Sequence, residues 1–435
     1  MGSGIKILFL IAIITFNLEY QISMINNIKF KTYKSYKDWQ DFKLKPLTIL
    51  FGKNSSGKSA LTKLPTMIEE ALKGTSDEPI KLNNNGVELG AEFKDLLYGR
   101  VETEVLEFKL TALVEDNNHE LSEERLEVKI ASNIGSNNSP KIIYWKLNDR
   151  VFTYNHYNNT YIDELDEEEY ICEFNGFCLD LLLYKNRDGS GDAPERPKMK
   201  ITTSYFGPFR EIPKSSYTES QFQKTNSFGI RGENAYYYLI KDSLTHEKTL
   251  LQNVSNWYKQ NFDGWGLEVF KDIQRPNYSI ELIKTYPKLN INITNVGQGM
   301  SQVLPLIVRA YYKADKPNTI IMEQPELHLH PGAHGNLAQL FADSLIDKNK
   351  RYLIETHSQN FILRIRRLIA EGKFSKNDLA LYWIDFDEEK NESNIKEIQV
   401  DEFGKVDFWP ENIFSESLDE TIALRTAQKL KKDVN

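Results

Sequence analysis

The stretch GKNSSGKS, from Gly52 to Ser59, decides the fold of this chain, because it satisfies the pattern G-x-x-x-x-G-K-[ST]. An apolar segment, LTILF, precedes it, and the residues that follow have helical spacing. A glycine-rich turn between a strand and a helix lets main-chain N–H groups surround phosphate oxygens, and the helix amino terminus adds partial positive charge. We expect Lys58 to reach the β- and γ-phosphates and the Ser59 hydroxyl to bind Mg²⁺. The predicted nucleotide-binding residues of this turn are Gly52, Lys53, Asn54, Ser55, Ser56, Gly57, Lys58 and Ser59.

A second informative stretch is TIIMEQPELHLHP, residues 319–331, which begins as an apolar strand and then turns acidic. Glu323 stands at the strand end, where a carboxylate holds Mg²⁺ or one of its waters. Gln324 can orient a water molecule but cannot accept its proton, because a neutral amide is not a usable base. Glu326 lies two residues on, beyond Pro325, and is one candidate for the general base, whose identity the sequence leaves open. We predict that Glu323, Gln324 and Glu326 are catalytic, and that Ser59 and Glu323 bind the metal.

Histidines crowd the segment after the acidic strand end, and their spacing is open to two interpretations. His328, His330 and His334 lie at alternate and i, i+4 positions, which suits a shared zinc ion. The other interpretation is a packed, hydrogen-bonded loop near a subunit interface, and we favour it. His357 follows the strand RYLIE in ETHSQ, at the edge of the sheet where ligands of open α/β sheets bind. We predict that His357 senses the γ-phosphate or the attacking water and is catalytic.

The bulk properties of the chain are those of a globular protein with a sizeable core. It has 435 residues, of which 40% are hydrophobic and 27% are charged, and a formal net charge of −8. This acidity argues against a protein that coats nucleic acid through bulk charge. Two cysteines, Cys172 and Cys178, make neither a zinc site nor a disulfide framework, so we expect a cytoplasmic protein.

The first residues favour a different location from the rest of the chain. IKILFLIAIITFNL (5–18) has the apolar core of a signal peptide but is too short for a comfortable membrane span. We interpret residues 1–23 as an upstream, added or signal-like segment, with Met24 as the working start, and expect no stable membrane partner. A membrane tether is the alternative.

The chain alternates between two kinds of pattern. Residues 24–75 and 290–435 alternate strand and helix, which indicates a mostly parallel sheet with helices on its faces. Residues 76–200 alternate polar and apolar positions between Asn-rich turns, which predicts an inserted antiparallel β lobe. Residues 201–289 form a mixed, partly helical lobe. The predicted fold class is α/β, a P-loop nucleoside triphosphatase with this inserted lobe and a short helical segment.

These pieces together resemble the ABC-type ATPase heads of the SMC, RecF and OLD (overcoming lysogenization defect) group, most of all compact prokaryotic members with the motif EQPELHLHP. The resemblance implies that ATP and Mg²⁺ are sandwiched between two subunits. It places the signature motif at NVGQGMSQVLPL (295–306), which caps the γ-phosphate of the other subunit. The serine usual at its head falls at Gly297, so Ser301 or main-chain amides serve instead. The implied nucleotide contacts are Gly297, Gly299 and Ser301.

Departures from the usual pattern shape the expected activity. Gln324 stands where many ABC enzymes carry a catalytic glutamate, so we expect slow hydrolysis and a long-lived ATP-bound homodimer or higher even oligomer. About 75 residues follow His357, too few for the TOPRIM nuclease domain of OLD proteins. Asp385 and Asp387 in WIDFDEEKN therefore predict a β-hairpin rather than a nuclease metal pair.

The resemblance to compact prokaryotic heads implies an anti-phage defence role, as the sensor or scaffold subunit beside an operon-encoded effector protein. Two alternatives remain: a RecF-like repair ATPase that clamps DNA, and a switch that binds ATP without hydrolysing it. A DNA contact is suggested by Arg364, Arg366 and Arg367 in LRIRRLIAEGK, although a solvated or salt-bridged helix face is the simpler interpretation.

Overall fold

The computed structural model describes residues 24–115, 120–132, 139–185, 191–218, 227–272 and 277–410, with residues 413, 420–426 and 428. The interpretation of residues 1–23 as an added or signal-like segment lies outside these residues. Within them, no helix is both long enough and apolar enough to cross a membrane.

Strands make up most of the ordered structure. Their bounds are β1 (Ile25–Lys31), β2 (Gln40–Lys43), β3 (Leu47–Gly52), β4 (Asn83–Asn84), β5 (Val87–Glu88), β6 (Val105–Glu115), β7 (Leu121–Ala131), β8 (Lys141–Leu147), β9 (Arg150–Asn155), β10 (Thr160–Asp163), β11 (Glu169–Asn175), β12 (Cys178–Tyr184), β13 (Thr203–Phe206), β14 (Tyr217–Thr218), β15 (Gly266–Lys271), β16 (Asn277–Lys284), β17 (Leu289–Asn292), β18 (Asn318–Glu323), β19 (Lys350–Glu355), β20 (Leu379–Asp387) and β21 (Glu392–Ile398).

Helices follow several strands of the chain. The α-helices are α1 (Lys58–Lys73), α2 (Ala235–Ser243), α3 (Thr249–Asn261), α4 (Gln298–Gln302), α5 (Leu304–Tyr311), α6 (Pro331–Ser344) and α7 (Gln359–Ala370). Short 3₁₀ turns cover Phe93–Leu96, Tyr98–Arg100, Ile293–Asn295 and Lys376–Asp378.

A six-stranded sheet in the order β13-β18-β19-β3-β20-β21 forms the centre of the core. All of its neighbouring pairs are parallel except β20 and β21, which form an antiparallel hairpin. The strands β3 and β19 are buried along almost their whole length, because helices or the second sheet cover both faces. The predicted α/β fold with a mostly parallel sheet is therefore confirmed, and so is the hairpin at WIDFDEEKN.

Alternate side chains of the central strands enter two separate cores. Leu47, Ile49 and Phe51 of β3 pack with α5, α6 and α7 on one face. Leu50 points to the other face, where it meets α1 and the second sheet. This alternation follows from the period of two residues in a strand, so one apolar strand can hold two layers together.

The second sheet has nine antiparallel strands in the order β12-β11-β10-β9-β8-β7-β6-β1-β2. Burial alternates along β6, so one face packs on the core and the other meets solvent. The predicted antiparallel lobe is present. Its sheet also takes in β1 and β2, which the sequence analysis grouped with residues 24–75, while the division into lobes stays a prediction. A third, smaller sheet joins β14 and β17 to one edge of β16 and β15 to the other.

Candidate nucleotide-binding site

The carboxyl ends of the parallel strands bring the predicted site residues to one edge of the sheet. The strand β3 runs into the glycine-rich turn, and α1 begins at Lys58 directly after Gly57. Gly57 has a φ of 102°, a left-handed conformation that favours glycine, so the pattern requires glycine there for a backbone reason. Ser56 is buried, and its hydroxyl has no hydrogen-bond partner among the described residues. This turn has the strand-turn-helix context that a phosphate-binding loop needs.

The Lys58 side chain folds back onto the glycine-rich turn. Its Nζ donates to the carbonyl oxygens of Gly52 at 3.2 Å and Lys53 at 2.6 Å. Only 4% of the side chain is exposed, and burial lowers the pKa of its ammonium group. Nζ also lies 3.9 Å from a carboxylate oxygen of Glu355. The cation is therefore placed between the loop that would hold phosphates and the acidic strand ends.

Glu323, at the end of β18, is buried as predicted, and its side chain is held by two hydroxyl groups. Its Oε1 accepts hydrogen bonds from Thr62 Oγ1 and from the Tyr205 hydroxyl, each at 2.5 Å. Burial, reinforced by the charge of Glu323, raises the pKa of Tyr205, so this phenol stays a donor. The sequence analysis missed both hydroxyl groups. Tyr205 lies in the segment SYFGPFREIP, whereas nothing in the sequence marked Thr62.

Glu355, at the end of β19, is the main functional candidate that the sequence analysis missed. It is buried, its Oε2 accepts a 3.2 Å hydrogen bond from Ser59, and its Cα is in register with that of Glu323 on the neighbouring strand. Burial, together with the negative charge of Glu323, raises the pKa of Glu355 to about 7. RYLIE ends in glutamate as TIIME does, and this parallel was the available signal.

These side chains fit the chemistry of Mg²⁺. A serine hydroxyl and two neighbouring carboxylates are the hard oxygen ligands that this ion prefers, and it commonly keeps only one or two protein carboxylates beside substrate phosphates. Crowding of two buried carboxylates also favours a nearby cation. Ser59 and one of the two carboxylates, Glu323 or Glu355, would hold it.

The Gln324–Glu326 segment makes a tight turn above this edge. Gln324 has a φ of 44°, and its N–H donates to the carbonyl oxygen of Glu355 at 2.8 Å. Glu326 is 7% exposed, and its Oε1 accepts from Thr356 Oγ1 and from the N–H of His357, each at 2.7 Å. Its Oε2 is buried without a hydrogen-bond partner among the described residues. One oxygen of the candidate base is thus fixed, and the other is buried with its lone pairs unpaired among the described residues.

Arg210 stabilises this turn through hydrogen bonds to its main chain. Its guanidinium group is buried and donates to the carbonyl oxygens of Glu323 at 2.6 Å and Gln324 at 3.2 Å. The sequence analysis left Arg210 near the nucleotide or at an interface. Its observed partners are main-chain carbonyl groups of the acidic turn and of Pro208 in its own segment.

His357 lies at the same edge, as predicted. Its Nε2 is 3.9 Å from Glu355 Oε1, and the side chain is 34% exposed. Burial, with a contribution from the charge of Lys58, lowers the pKa of His357. A neutral imidazole beside the lysine suits a residue that contacts phosphate or water.

The other histidines do not form a zinc site. His330 caps α6 by accepting from Gly332 N–H at 3.2 Å, and His334 contacts Ser358 Oγ at 2.8 Å and the Leu329 carbonyl at 3.1 Å. Nowhere in the described ranges do three or more His, Cys, Asp or Glu side chains converge as metal ligands would. The hydrogen-bonded loop is the interpretation that these contacts favour, whereas its place at an interface stays a prediction.

The predicted signature segment forms the short helix α4 beside the histidine loop. Gly297 is exposed at its start, and no described atom lies within 4 Å of a Cβ built there. Gly299 is the opposite case, because a Cβ would lie 2.5 Å from the His328 carbonyl oxygen. Ser301 is buried, and its hydroxyl donates to the Gln298 carbonyl at 3.3 Å. Of the two routes that the resemblance left open, main-chain amides are therefore better placed than Ser301 to contact phosphate.

The arginines of α7 already have partners. Arg364 donates to Asn336, Arg366 donates to the Gly404 carbonyl and lies over the Trp409 ring, and Arg367 pairs with Glu371. These contacts favour the salt-bridged helix face over a DNA contact.

Comparison with known proteins agrees with this geometry. The AAA ATPase domain family matches residues 24–362 of the chain. The chain belongs to this family. The prediction of an ATPase domain is therefore confirmed. A second match, to a family described as a protein of unknown function, covers residues 375–424. No curated protein matches this AAA ATPase at a significant level.

Among solved structures, this AAA ATPase is similar to SMC head domains. The SMC head domain from Thermotoga maritima is 11% identical, with a TM-score of 0.42 over 87% of this chain and 100% of that chain. A Smc head domain with an extended coiled coil, bound to the C-terminal domain of ScpA from Pyrococcus furiosus, is 10% identical, with a TM-score of 0.45 over 94% of this chain and 99% of that chain.

Proposed function

We propose that this protein binds ATP with Mg²⁺, dimerises around the nucleotide and hydrolyses it slowly. The observation that carries the proposal is the convergence of Lys58, Ser59, Glu323, Glu326 and His357 at one sheet edge. Lys58, Ser59 and His357 lie next to Glu355, Glu326 accepts from the His357 N–H, and Glu323 accepts from Thr62 on the helix of the phosphate loop. Each of these side chains has the chemistry that phosphoryl transfer to water needs: phosphate binding, metal binding, proton acceptance and contact with the γ-phosphate.

Slow turnover is expected from the residues that face the attacking water. When bound, Mg²⁺ would neutralise charge on the phosphate oxygens. Gln324 orients the water but leaves its proton to another group, and Glu326, whose Oε2 has no hydrogen-bond partner among the described residues, is the proposed acceptor. The Glu326 carboxylate must accept the proton of the water from a fixed position, because Arg210 and the His357 segment hold its turn in place.

The proposed dimer is supported by a helix start that one chain leaves exposed. The start of α4 at Gly297 is exposed, and no described atom lies within 4 Å of a Cβ built there. In the arrangement that the resemblance implies, this helix start of one subunit caps the γ-phosphate bound to the loop of the other. The nucleotide then becomes part of the interface, so ATP binding and dimerisation are coupled.

Steady-state ATP turnover, with molecular mass measured in ATP, tests this proposal. The variants are Lys58→Ala and Glu326→Gln, with Lys63→Ala as a matched control one turn along α1. We expect the parent and the control to hydrolyse ATP and dimerise, Lys58→Ala to do neither, and Glu326→Gln to dimerise without turnover. A parent that dimerises in ATP but hydrolyses no more than Lys58→Ala would instead be a nucleotide switch.

The biological role proposed with this activity is that of a sensor or scaffold in prokaryotic anti-phage defence, acting on a separately encoded effector. Its support is the resemblance of EQPELHLHP to compact prokaryotic heads. Phage plaquing on bacteria that express the protein with its neighbouring gene tests this role, with Lys58→Ala as the comparison. Equal plaquing with parent and variant, and no co-purified partner, would contradict it.

A further inference from the structure

The metal-facing carboxylate need not be the one that the sequence motif marks. The strands β18 and β19 are parallel neighbours, and their terminal residues Glu323 and Glu355 are paired in register. Both side chains are buried, with 7% of Glu323 and 4% of Glu355 exposed. Two carboxylates at the same level of adjacent strands are thus available to one cation.

The two carboxylates have different partners. Glu323 Oε1 is held by Thr62 Oγ1 and the Tyr205 hydroxyl, on the side of the sheet edge that faces β13. Glu355 Oε2 accepts from Ser59 Oγ at 3.2 Å, and its Oε1 is 3.9 Å from Lys58 Nζ. The serine after the lysine of this loop pattern is the Mg²⁺ ligand, and the lysine contacts the β- and γ-phosphates. Glu355 is therefore the carboxylate in contact with the metal-binding hydroxyl.

We propose that Glu355 is the carboxylate that faces Mg²⁺ beside Ser59, and that Glu323 is a positioning residue held in place by Thr62 and Tyr205. This rests on the proposed function, because it assumes that the site takes ATP with Mg²⁺. The 3.9 Å separation of Glu355 Oε1 and His357 Nε2 gives the arrangement a further consequence. Glu355, which faces the metal, also lies beside His357, which is expected to contact the γ-phosphate. One side chain therefore couples His357 to the state of the metal and of the nucleotide.

The test measures metal binding rather than turnover. The full chain is titrated with a fluorescent ADP analogue in Mg²⁺ and in EDTA, and Mn²⁺ bound with ADP is followed by electron paramagnetic resonance. For Glu355→Gln we expect unchanged affinity in EDTA and a loss of about 10- to 100-fold in Mn²⁺ affinity. For Glu323→Gln the Mn²⁺ spectrum and affinity stay close to those of the parent.

A second pair of variants protects the test against misfolding. Ser59→Ala removes an exposed hydroxyl, and combining it with Glu355→Gln should cost little more Mn²⁺ affinity than either change alone, because both act on one contact. Glu355→Asp keeps the charge and should recover part of the Mn²⁺ affinity. Loss of Mn²⁺ in Glu323→Gln with retention in Glu355→Gln would overturn the proposal while leaving the ATPase function intact. A parent that binds no nucleotide in either buffer would overturn both.

Discussion

The carboxylate of Glu326 accepts a 2.7 Å hydrogen bond from the main-chain N–H of His357, and a second bond of the same length from Thr356 Oγ1. The acidic turn after β18 is thereby joined to the histidine segment after β19. Since one oxygen of Glu326 makes both bonds, its other oxygen is left without a partner among the described residues. Glu326 has two separable roles in this geometry, one in positioning His357 and one as a candidate base.

Substitutions at Glu326 separate these roles. Glu326→Gln keeps an oxygen that accepts from Thr356 and His357 but removes the base, so turnover should fall by about 10²- to 10⁴-fold while ATP affinity is retained. Glu326→Ala should in addition weaken ATP-driven dimerisation, because the His357 segment loses its acceptor. Turnover assays and nucleotide titrations check both, with the exposed Glu389→Gln as a control. Parent-like turnover in Glu326→Gln would show that Glu326 only positions the segment.

Replacing Arg210 should impair catalysis more than nucleotide binding. Arg210→Met removes the guanidinium donor from the buried carbonyl group of Glu323, at a cost of about 1–3 kcal/mol, while the Gln324 carbonyl keeps a hydrogen bond from Leu327 N–H. The turn at Gln324, with its φ of 44°, then loses its support. We expect a lower free energy of unfolding and a fall in kcat that exceeds the change in ATP affinity.

Arg231→Met is the matched control for Arg210, because that arginine is 63% exposed and its nearest carboxylate, on Glu211, lies 3.9 Å away. Denaturant unfolding and ATP kinetics measure both variants. A variant at Arg210 that loses stability but keeps kcat would show that the arginine supports the fold alone.

Gly297 offers a test of the dimer that does not disturb the monomer. A side chain there meets no described atom within 4 Å, so Gly297→Asp should leave the thermal stability unchanged. Its negative charge would oppose the γ-phosphate of the partner subunit, and we expect ATP-driven dimerisation to be lost. Light scattering in ATP measures this. Gly297→Ser, which restores the serine usual in the resembling heads, should still dimerise, and a dimer that survives Gly297→Asp would place the interface elsewhere.

Lys350 predicts a pH dependence of stability outside the nucleotide site. Its Nζ is buried, donates to the Ala310 carbonyl at 2.7 Å and lies 3.4 Å from Asp347. Burial lowers the pKa of Lys350 from 10.5 to about 8, although Asp347 opposes the shift. Between these values the unfolded chain keeps a proton that the folded protein has lost. The free energy of unfolding should therefore gain up to about 1.4 kcal/mol per pH unit from this group as the pH rises.

Lys350→Met removes this titration, and the exposed Lys348→Met is its control. Denaturant unfolding from pH 8 to pH 10 should give a smaller slope against pH for Lys350→Met than for the parent and the control. Equal slopes in all three proteins would contradict the predicted shift.

The amino-acid sequence by itself determined the local structure around the phosphate loop. The pattern from Gly52 to Ser59 predicted a glycine-rich turn before a helix, and Gly57, in a left-handed conformation, forms that turn directly before α1. The apolar run before Glu323 predicted a buried strand ending in a carboxylate, and β18 is such a strand. These features depend on interactions within one loop or one element, so the order of residues is enough to predict them.

Only the tertiary structure decided which carboxylate meets which hydroxyl group. Ser59 and Glu355 are 296 positions apart in sequence, and Tyr205 reaches Glu323 from 118 positions away. Their contacts depend on the strand order β13-β18-β19-β3, which is set by long-range packing of helices on both faces of the sheet. The strand period predicts which face a side chain takes but not the neighbour of its strand. For this physical reason the contact between Ser59 and the glutamate ending RYLIE could be recognised only once β19 was seen beside both β18 and β3.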